Sequence, residues 1–143
     1  MRKIIVLLVL FVVVLSCKTY TVTPESFKTQ FSGTSSDNLK KAEINNPLNP
    51  FKTIKYSANQ LNSIVVLDKK GQQVKLENSP ALETRVTLKN GKKYHFYFDT
   101  LVLENDSISG GRSRFVQSLT RKIPFDSIQR IEIQDGGKKY SYQ

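Results

Sequence analysis

The chain has 143 residues, enough for one small domain with attachments, and its single cysteine excludes an intrachain disulfide. The formal net charge is +10 at pH 7, which favours acidic partners. Hydrophobic residues make up 38% of the chain but are unevenly spread, with 14 of them in residues 1–17 and 32 in residues 54–143. We therefore expect only the last segment to build a core.

The N-terminus has the pattern of an export signal. Met1-Arg2-Lys3 is a short basic start, and twelve unbroken apolar residues, Ile4 to Leu15, follow it before Ser16 and Cys17. A helix of that length spans roughly 18 Å, well short of the roughly 30 Å hydrocarbon core of a bilayer. A buried core helix is the alternative, but this run is apolar on every face and nothing precedes it to pack on. Residues 1–16 are therefore predicted to be a signal peptide.

The residues Val14-Leu15-Ser16-Cys17 resemble the lipobox of bacterial lipoproteins, with a mild departure at Leu15, where a small residue is more usual. The resemblance implies that the Cys17 thiol receives a diacylglyceryl group, that cleavage makes Cys17 the first residue, and that its amine is acylated. Several acyl chains anchor a protein stably, so the membrane is an expected partner. Lys18-Thr19-Tyr20 matches neither the aspartate nor the acidic sorting signals of such proteins. The expected location is the cell membrane or the outer membrane, facing the periplasm.

Residues 17–53 are rich in Ser, Thr, Asn and Pro, which predicts a lipidated N-terminus followed by a flexible tether. One stretch has helix signals, because Thr23-Pro24-Glu25 combines a capping residue, a proline at the first helical position and an acid in the first turn. Phe27 and Phe31 lie one turn apart and would place their rings on the domain. An isolated two-turn helix is too short to persist, so a transient turn is the alternative.

From residue 54 the chain alternates short β-branched and aromatic runs with turn signals, which predicts a β domain over residues 54–143. Along Lys92 to Asp99, the period of two puts Tyr94, Phe96 and Phe98 on one face, and we expect these three rings in the core. Leu101 and Leu103 have the opposite parity, so either a bulge resets the register or both faces are covered there. The predicted hairpins join 64–67 to 72–76, 82–89 to 92–99, and 128–134 to 138–142.

The predicted fold class is mainly β, either a small antiparallel sheet or a barrel with an added hairpin. Residues 86–134 resemble SH3-like and Sm-like barrels: a strand with a glycine turn, a long bent strand, another strand, and a short turn before the closing strand. This resemblance implies no functional residue, because these folds carry many unrelated activities.

The sequence offers few groups for catalysis. His95 is the only histidine, and Asp99 on the same strand would lie roughly 13 Å away, too far for a hydrogen bond. We therefore predict no enzyme, no catalytic residue, no metal and no cofactor. A hydrolase with an unrecognised pair of acids is the least favoured alternative. The export signal also argues against nucleic acid as a partner of this basic chain.

Two surfaces are candidate binding sites. Arg112, Arg114, Arg121 and Lys122 predict a basic patch for anionic lipid headgroups, lipopolysaccharide or glycan, since a guanidinium suits phosphate or carboxylate. The alternative is a scattered basic surface that aids solubility. Tyr140 and Tyr142 lie on a predicted edge strand that would offer its backbone or rings to a protein partner. The favoured function is a lipid-anchored envelope protein that acts as a structural or protein-interaction module, and the basic patch is the second hypothesis.

Overall fold

The computed structural model describes residues 17–137 and 139–143. The predicted signal peptide, residues 1–16, lies outside them. The described chain forms one α-helix, α1 (Pro24–Phe31), and eleven strands. The strands are β1 (Lys18–Val22), β2 (Lys40–Asn45), β3 (Thr53–Ala58), β4 (Ser63–Leu67), β5 (Gln73–Glu77), β6 (Leu82–Leu88), β7 (Lys93–Tyr97), β8 (Val102–Glu104), β9 (Ser107–Gly111), β10 (Thr120–Pro124) and β11 (Ile128–Asp135).

The largest sheet has six strands in the order β5-β4-β1-β11-β6-β7, and its neighbouring strands are antiparallel. The predicted hairpins β4–β5 and β6–β7 are confirmed, and Gly71 and Gly91 in their turns have the positive φ that glycine adopts without strain. β1 lies between β4 and β11, so the start of the domain fills a central position in this sheet.

Two smaller sheets complete the fold. β10, β9 and β8 form a three-stranded antiparallel sheet, and Asn105 and Asp106 make its β8–β9 turn with φ near +50°. β2 and β3 form a two-stranded sheet. The predicted mainly β class is confirmed. Of its two predicted forms, the structure has antiparallel sheets, and the described strands do not close into a barrel.

Helix α1 packs its two phenylalanines into the main core. The Thr23 hydroxyl accepts a hydrogen bond from the Ser26 amide at 3.2 Å, which caps the helix. Phe27 and Phe31 are fully buried, their rings stack at 4.0 Å, and Phe31 meets Phe98 edge-on at 5.6 Å. The helix persists because tertiary packing compensates for its short length.

The prediction of a flexible tether over residues 17–53 is wrong. This segment contributes β1, α1 and β2, and the domain therefore begins at Lys18 rather than at residue 54. The polar composition of this segment suggested a tether, but a few well-spaced apolar residues are enough to pack it onto the domain. These residues, Val22, Phe27, Phe31 and Ile44, are all buried.

The register of the long aromatic strand is reset by a 3-10 turn rather than by a bulge. Phe98–Thr100 forms this turn directly after β7, so Leu101 is buried although its parity is opposite to that of Phe98. Phe96 and Phe98 lie in the core as predicted, while Tyr94 is half-buried at its border.

The predicted terminal hairpin is wrong. β11 pairs with β1 and β6, so both of its edges are occupied by other strands. The chain beyond it crosses to β2, where Tyr142 bridges Ile44 and the Gln143 amide donates to the Glu43 carbonyl at 2.9 Å. Lys138, the first residue of the predicted strand, lies outside the described residues.

Candidate functional site

The most polar feature of the interior is an ion pair between Asp99 and Arg114. Asp99 lies in the 3-10 turn after β7, and Arg114 lies in the loop between β9 and β10. Arg114 Nη2 donates to Asp99 Oδ1 at 2.8 Å, and both side chains are almost fully buried. A charge buried this deeply needs a partner, because its desolvation is costly.

Two tyrosine hydroxyls complete the surroundings of this carboxylate. Tyr56 of β3 and Tyr142 near the C-terminus both donate to Asp99 Oδ2, the latter at 3.1 Å. Burial, and then the negative charge of Asp99, raise the pKa of both phenols above their usual value near 10. Both phenols therefore stay protonated and act as hydrogen-bond donors at neutral pH.

The guanidinium of Arg114 is enclosed by aromatic rings. Its Cζ lies 4.0 Å from the centre of the Tyr97 ring, 5.0 Å from that of Tyr140 and 5.2 Å from that of Tyr56. Arg114 Nε and Nη1 are buried and make no hydrogen bond to any described residue. The electron-rich faces of the rings stabilise the cation in place of oxygen acceptors.

This cluster is built for position rather than for proton transfer. Three donors occupy the Asp99 carboxylate, and its backbone carbonyl accepts from the Asn59 amide at 2.7 Å. Asn59 is itself fully buried and donates through Nδ2 to the carbonyls of Phe98 and Leu101. The cluster thus joins β3, the turn after β7, the β9–β10 loop and the C-terminal segment.

A small cavity of about 240 Å³ adjoins this cluster. Its lining includes Tyr56, Arg114 and the paired glycines Gly110 and Gly111. A Cβ on Gly110 would lie 2.7 Å from Leu101 Cδ2, so a larger residue there would force the buried Leu101 side chain to shift. The volume is below the range of about 300–1,000 Å³ that is usual for small-molecule sites, so the cavity is a weak candidate for a ligand pocket.

The predicted basic patch does not form as a single surface. Arg112 and Lys122 are exposed, but Arg114 is buried on Asp99, and Arg121 is half-buried with its guanidinium 4.3 Å from the centre of the Tyr94 ring. Arg112 and Arg114 also do not share a strand face, because β9 ends at Gly111. Arg114 must therefore be removed from the set of predicted ligand-binding residues.

The predicted partner edge is used within the molecule. Tyr140 packs against Arg114 and against a small apolar cluster of β2 and β3. This cluster consists of Ile44, Ile54, Tyr56 and Ala58. The Tyr142 hydroxyl donates to Asp99. Asn45 holds the segment from the other side, since its Oδ1 accepts from the Ser141 amide at 2.7 Å. The C-terminal segment is thus already paired with β2, although the Tyr142 ring stays 39% exposed.

The Asp99–Arg114 pair is the feature that sequence reasoning missed. The sequence pattern relates Asp99 only to His95, which is exposed on β7. A signal was present, because an aspartate between Phe98 and Leu101 stands inside an apolar run and therefore needs a buried partner. The identity of that partner depends on a contact with a distant loop, which local patterns do not predict.

The loop between β9 and β10 exposes three apolar residues. Between β9 and β10, the side chains of Phe115, Val116 and Leu119 are 54%, 46% and 48% exposed. The loop is held by its own hydrogen bonds: the Arg112 amide donates to the Leu119 carbonyl at 2.8 Å and the Leu119 amide to the Val116 carbonyl at 3.0 Å. The apolar side chains are therefore presented by an ordered loop.

In residues 17–137 and 139–143, no cluster of three or more histidine, cysteine or acidic side chains is placed to hold a metal ion. Over the same residues, no helix is long and apolar enough to cross a membrane. Comparison with protein-family models, with curated proteins and with solved structures finds no match to this chain.

Proposed function

We propose that this chain is a lipoprotein of a bacterial cell envelope, anchored at the cell membrane or the outer membrane through acyl chains on Cys17, and that its β domain is a protein-interaction module. The lipobox-like residues before Cys17 support the anchor. Cys17 is exposed and carries the only thiol of the chain, so a modifying enzyme has access to it.

The exposed loop of Phe115, Val116 and Leu119 is the observation that carries the interaction module. Three apolar residues, each about half exposed, lie within five positions of one short loop rather than scattered over the surface. An ordered loop also loses little conformational entropy on binding.

The rim of this loop favours a protein as the partner. The polar residues around the apolar side chains are mostly uncharged, namely Ser113, Gln117, Ser118 and Thr120. Protein interfaces have this composition, with an aromatic and apolar centre depleted of charge and a polar rim. An anionic ligand would instead require a concentration of cations, and the loop supplies only Arg112 as an exposed one.

Photo-crosslinking in intact cells tests the module. p-Benzoylphenylalanine replaces Phe115, a close match in shape, and a C-terminal tag recovers the adduct. The control places the same group at Lys92, which is exposed in the β6–β7 turn. We expect a discrete protein adduct from position 115 that is absent from position 92. Equal labelling at both positions, or an adduct with lipid or glycan alone, would overturn the proposed module.

The anchor is tested separately by Cys17→Ala. The variant cannot receive a thioether-linked diacylglyceryl group, so we expect uncleaved or unacylated protein that no longer enters the detergent phase. Wild-type protein in the same partition assay is the reference. Normal partitioning of the variant would show that Cys17 is not the anchor.

A further inference from the structure

The anchor and the domain are joined without a spacer. β1 begins at Lys18, and a Cβ on Gly136, just beyond the end of β11, would lie 4.0 Å from Cys17 Sγ. The headgroup region of each leaflet is only about 5–7 Å deep. If acyl chains on Cys17 enter the bilayer, the end of the six-stranded sheet that carries Cys17 must therefore lie against the headgroups.

Exposed lysines lie on the β4 side of Cys17 at this end of the sheet, and on the β11 side Asp135 is the register partner of Lys18. β1 pairs with β4, so Lys18 lies next to the β4–β5 turn, where Lys69 and Lys70 stand. These three lysines, together with Asp68, line one shallow surface hollow of about 310 Å³. Asp68 Oδ1 accepts hydrogen bonds from the amides of Lys70 and Gln72 at 2.8 and 2.9 Å, so the lining combines three lysines with one carboxylate and is net positive.

Among the described residues, the most exposed apolar side chains belong to a hairpin that the C-terminal segment links to this end of the sheet. Leu48 and Phe51, at the tip of the β2–β3 hairpin, are 82% and 96% exposed. Lys139 adjoins that tip, because its carbonyl accepts from Asn45 Nδ2 at 2.7 Å. Three chain steps, at most about 11 Å, separate Lys139 from Gly136 beside Cys17. The connectivity therefore limits the distance between the anchor and the base of the hairpin tip, from which Leu48 and Phe51 extend.

We propose that the Cys17 end of the domain is a membrane-contacting face, on which Lys18, Lys69 and Lys70 meet anionic phospholipid headgroups while Leu48 and Phe51 insert among them. This inference rests on the proposed lipid anchor and adds an orientation and a lipid preference to it. Apolar side chains bordered by lysines bind bilayer interfaces through apolar burial together with attraction to anionic lipid. The β9–β10 loop, with its mostly uncharged rim, differs from this face in composition.

The chain has no tryptophan, so a single introduced one reports its own environment. The acylated protein with Phe51→Trp is reconstituted into vesicles of phosphatidylcholine and phosphatidylglycerol that contain lipid brominated on the acyl chain. We expect blue-shifted emission and quenching by bromine severalfold stronger than for Lys92→Trp. Lys92, the control position, lies in the turn that follows Leu88. Leu88 pairs with Ile128 at the start of β11, whereas Cys17 lies beside the other end of β11. Leu48→Trp is the second reporter if Phe51→Trp does not fold.

Lipid charge is tested in the Phe51→Trp background. We expect Lys69→Gln with Lys70→Gln to weaken quenching in vesicles with phosphatidylglycerol and to leave it unchanged in phosphatidylcholine alone. Unchanged quenching in both would overturn the role of these lysines. Equal quenching of Phe51→Trp and Lys92→Trp, in protein that still partitions into detergent, would overturn the orientation while the anchor stands. Protein that fails to partition would instead show that the anchor itself is wrong.

Discussion

At the scale of single residues, the Asp99 side chain joins segments that are far apart in the sequence. It accepts hydrogen bonds from Arg114, Tyr56 and Tyr142, which come from three separate parts of the chain. Losing one partner of such a pair leaves an uncompensated buried charge, which costs far more than the net worth of the pair. The intact cluster therefore contributes little net stability. Its effect on the free energy of unfolding is measured when one partner is removed and the other charge stays buried.

Arg114→Met is expected to lower the free energy of unfolding by about 3–5 kcal/mol, because it leaves the Asp99 carboxylate buried beside two phenols. Adding Asp99→Asn removes that charge and keeps an oxygen that accepts from the tyrosines. We therefore expect the double variant to be more stable than Arg114→Met alone in urea unfolding. Arg112→Met, the same change at an exposed position of the same loop, should alter stability by only about 0.5 kcal/mol. A double variant less stable than the single one would contradict the pairing.

At the scale of elements, the register of β11 against β6 is reinforced by a charge pair. Arg85 lies directly opposite Glu132, and its Nε and Nη2 each donate to one carboxylate oxygen at 2.8 Å. This hydrogen bonding lowers the pKa of Glu132 and raises that of Arg85. Because the folded pKa of Glu132 is depressed, its contribution to stability is present above the unfolded value near 4.5 and is lost as the pH falls through the folded value.

Glu132→Gln is therefore expected to cost about 2 kcal/mol at pH 7 and less at pH 3, which lies below the unfolded pKa, so that the stabilisation by the charged pair is reduced there. Urea unfolding of both proteins at the two pH values measures the difference. Glu77→Gln is the matched control, since its contact with Lys75 at 3.9 Å joins two exposed side chains. A penalty for Glu132→Gln that stays the same at both pH values would contradict a role for the charged pair.

The elements that could be predicted are those that local patterns specify. The β4–β5 and β6–β7 hairpins follow from alternating side chains around glycine turns, and the Thr23 cap marks the start of α1. The insertion of β1 between β4 and β11 could not be predicted, because it joins Lys18 to Asp135 across almost the whole chain. The buried Arg114 was missed for the same reason, since its partners come from distant segments.

At the scale of the whole molecule, two apolar clusters are connected through the ion pair. The main cluster lies beneath the six-stranded sheet and α1, and the small one consists of Ile44, Ile54, Tyr56 and Ala58 from β2 and β3. Four buried residues bury little apolar area, so the two-stranded sheet depends on contacts outside itself. The Asp99 cluster and the C-terminal segment supply these contacts.

Removing residues 138–143 should therefore loosen β2 and β3 and leave the six-stranded sheet folded. The truncation deletes the Tyr142 hydrogen bond to Asp99 and the pairing of the C-terminal segment with Asn45 and Glu43. A lost hydrogen bond to a charged acceptor is worth about 1.5–3 kcal/mol, which corresponds to about 10- to 140-fold faster amide exchange if opening is local. Hydrogen exchange should show this acceleration in β2 and β3, with protection kept in β1, β6 and β11.

Tyr142→Phe, which removes only the hydroxyl, should give a smaller acceleration in the same strands. Equal acceleration in all strands would show that the molecule opens as one unit, and unchanged exchange in β2 and β3 would show that the C-terminal segment does not support them.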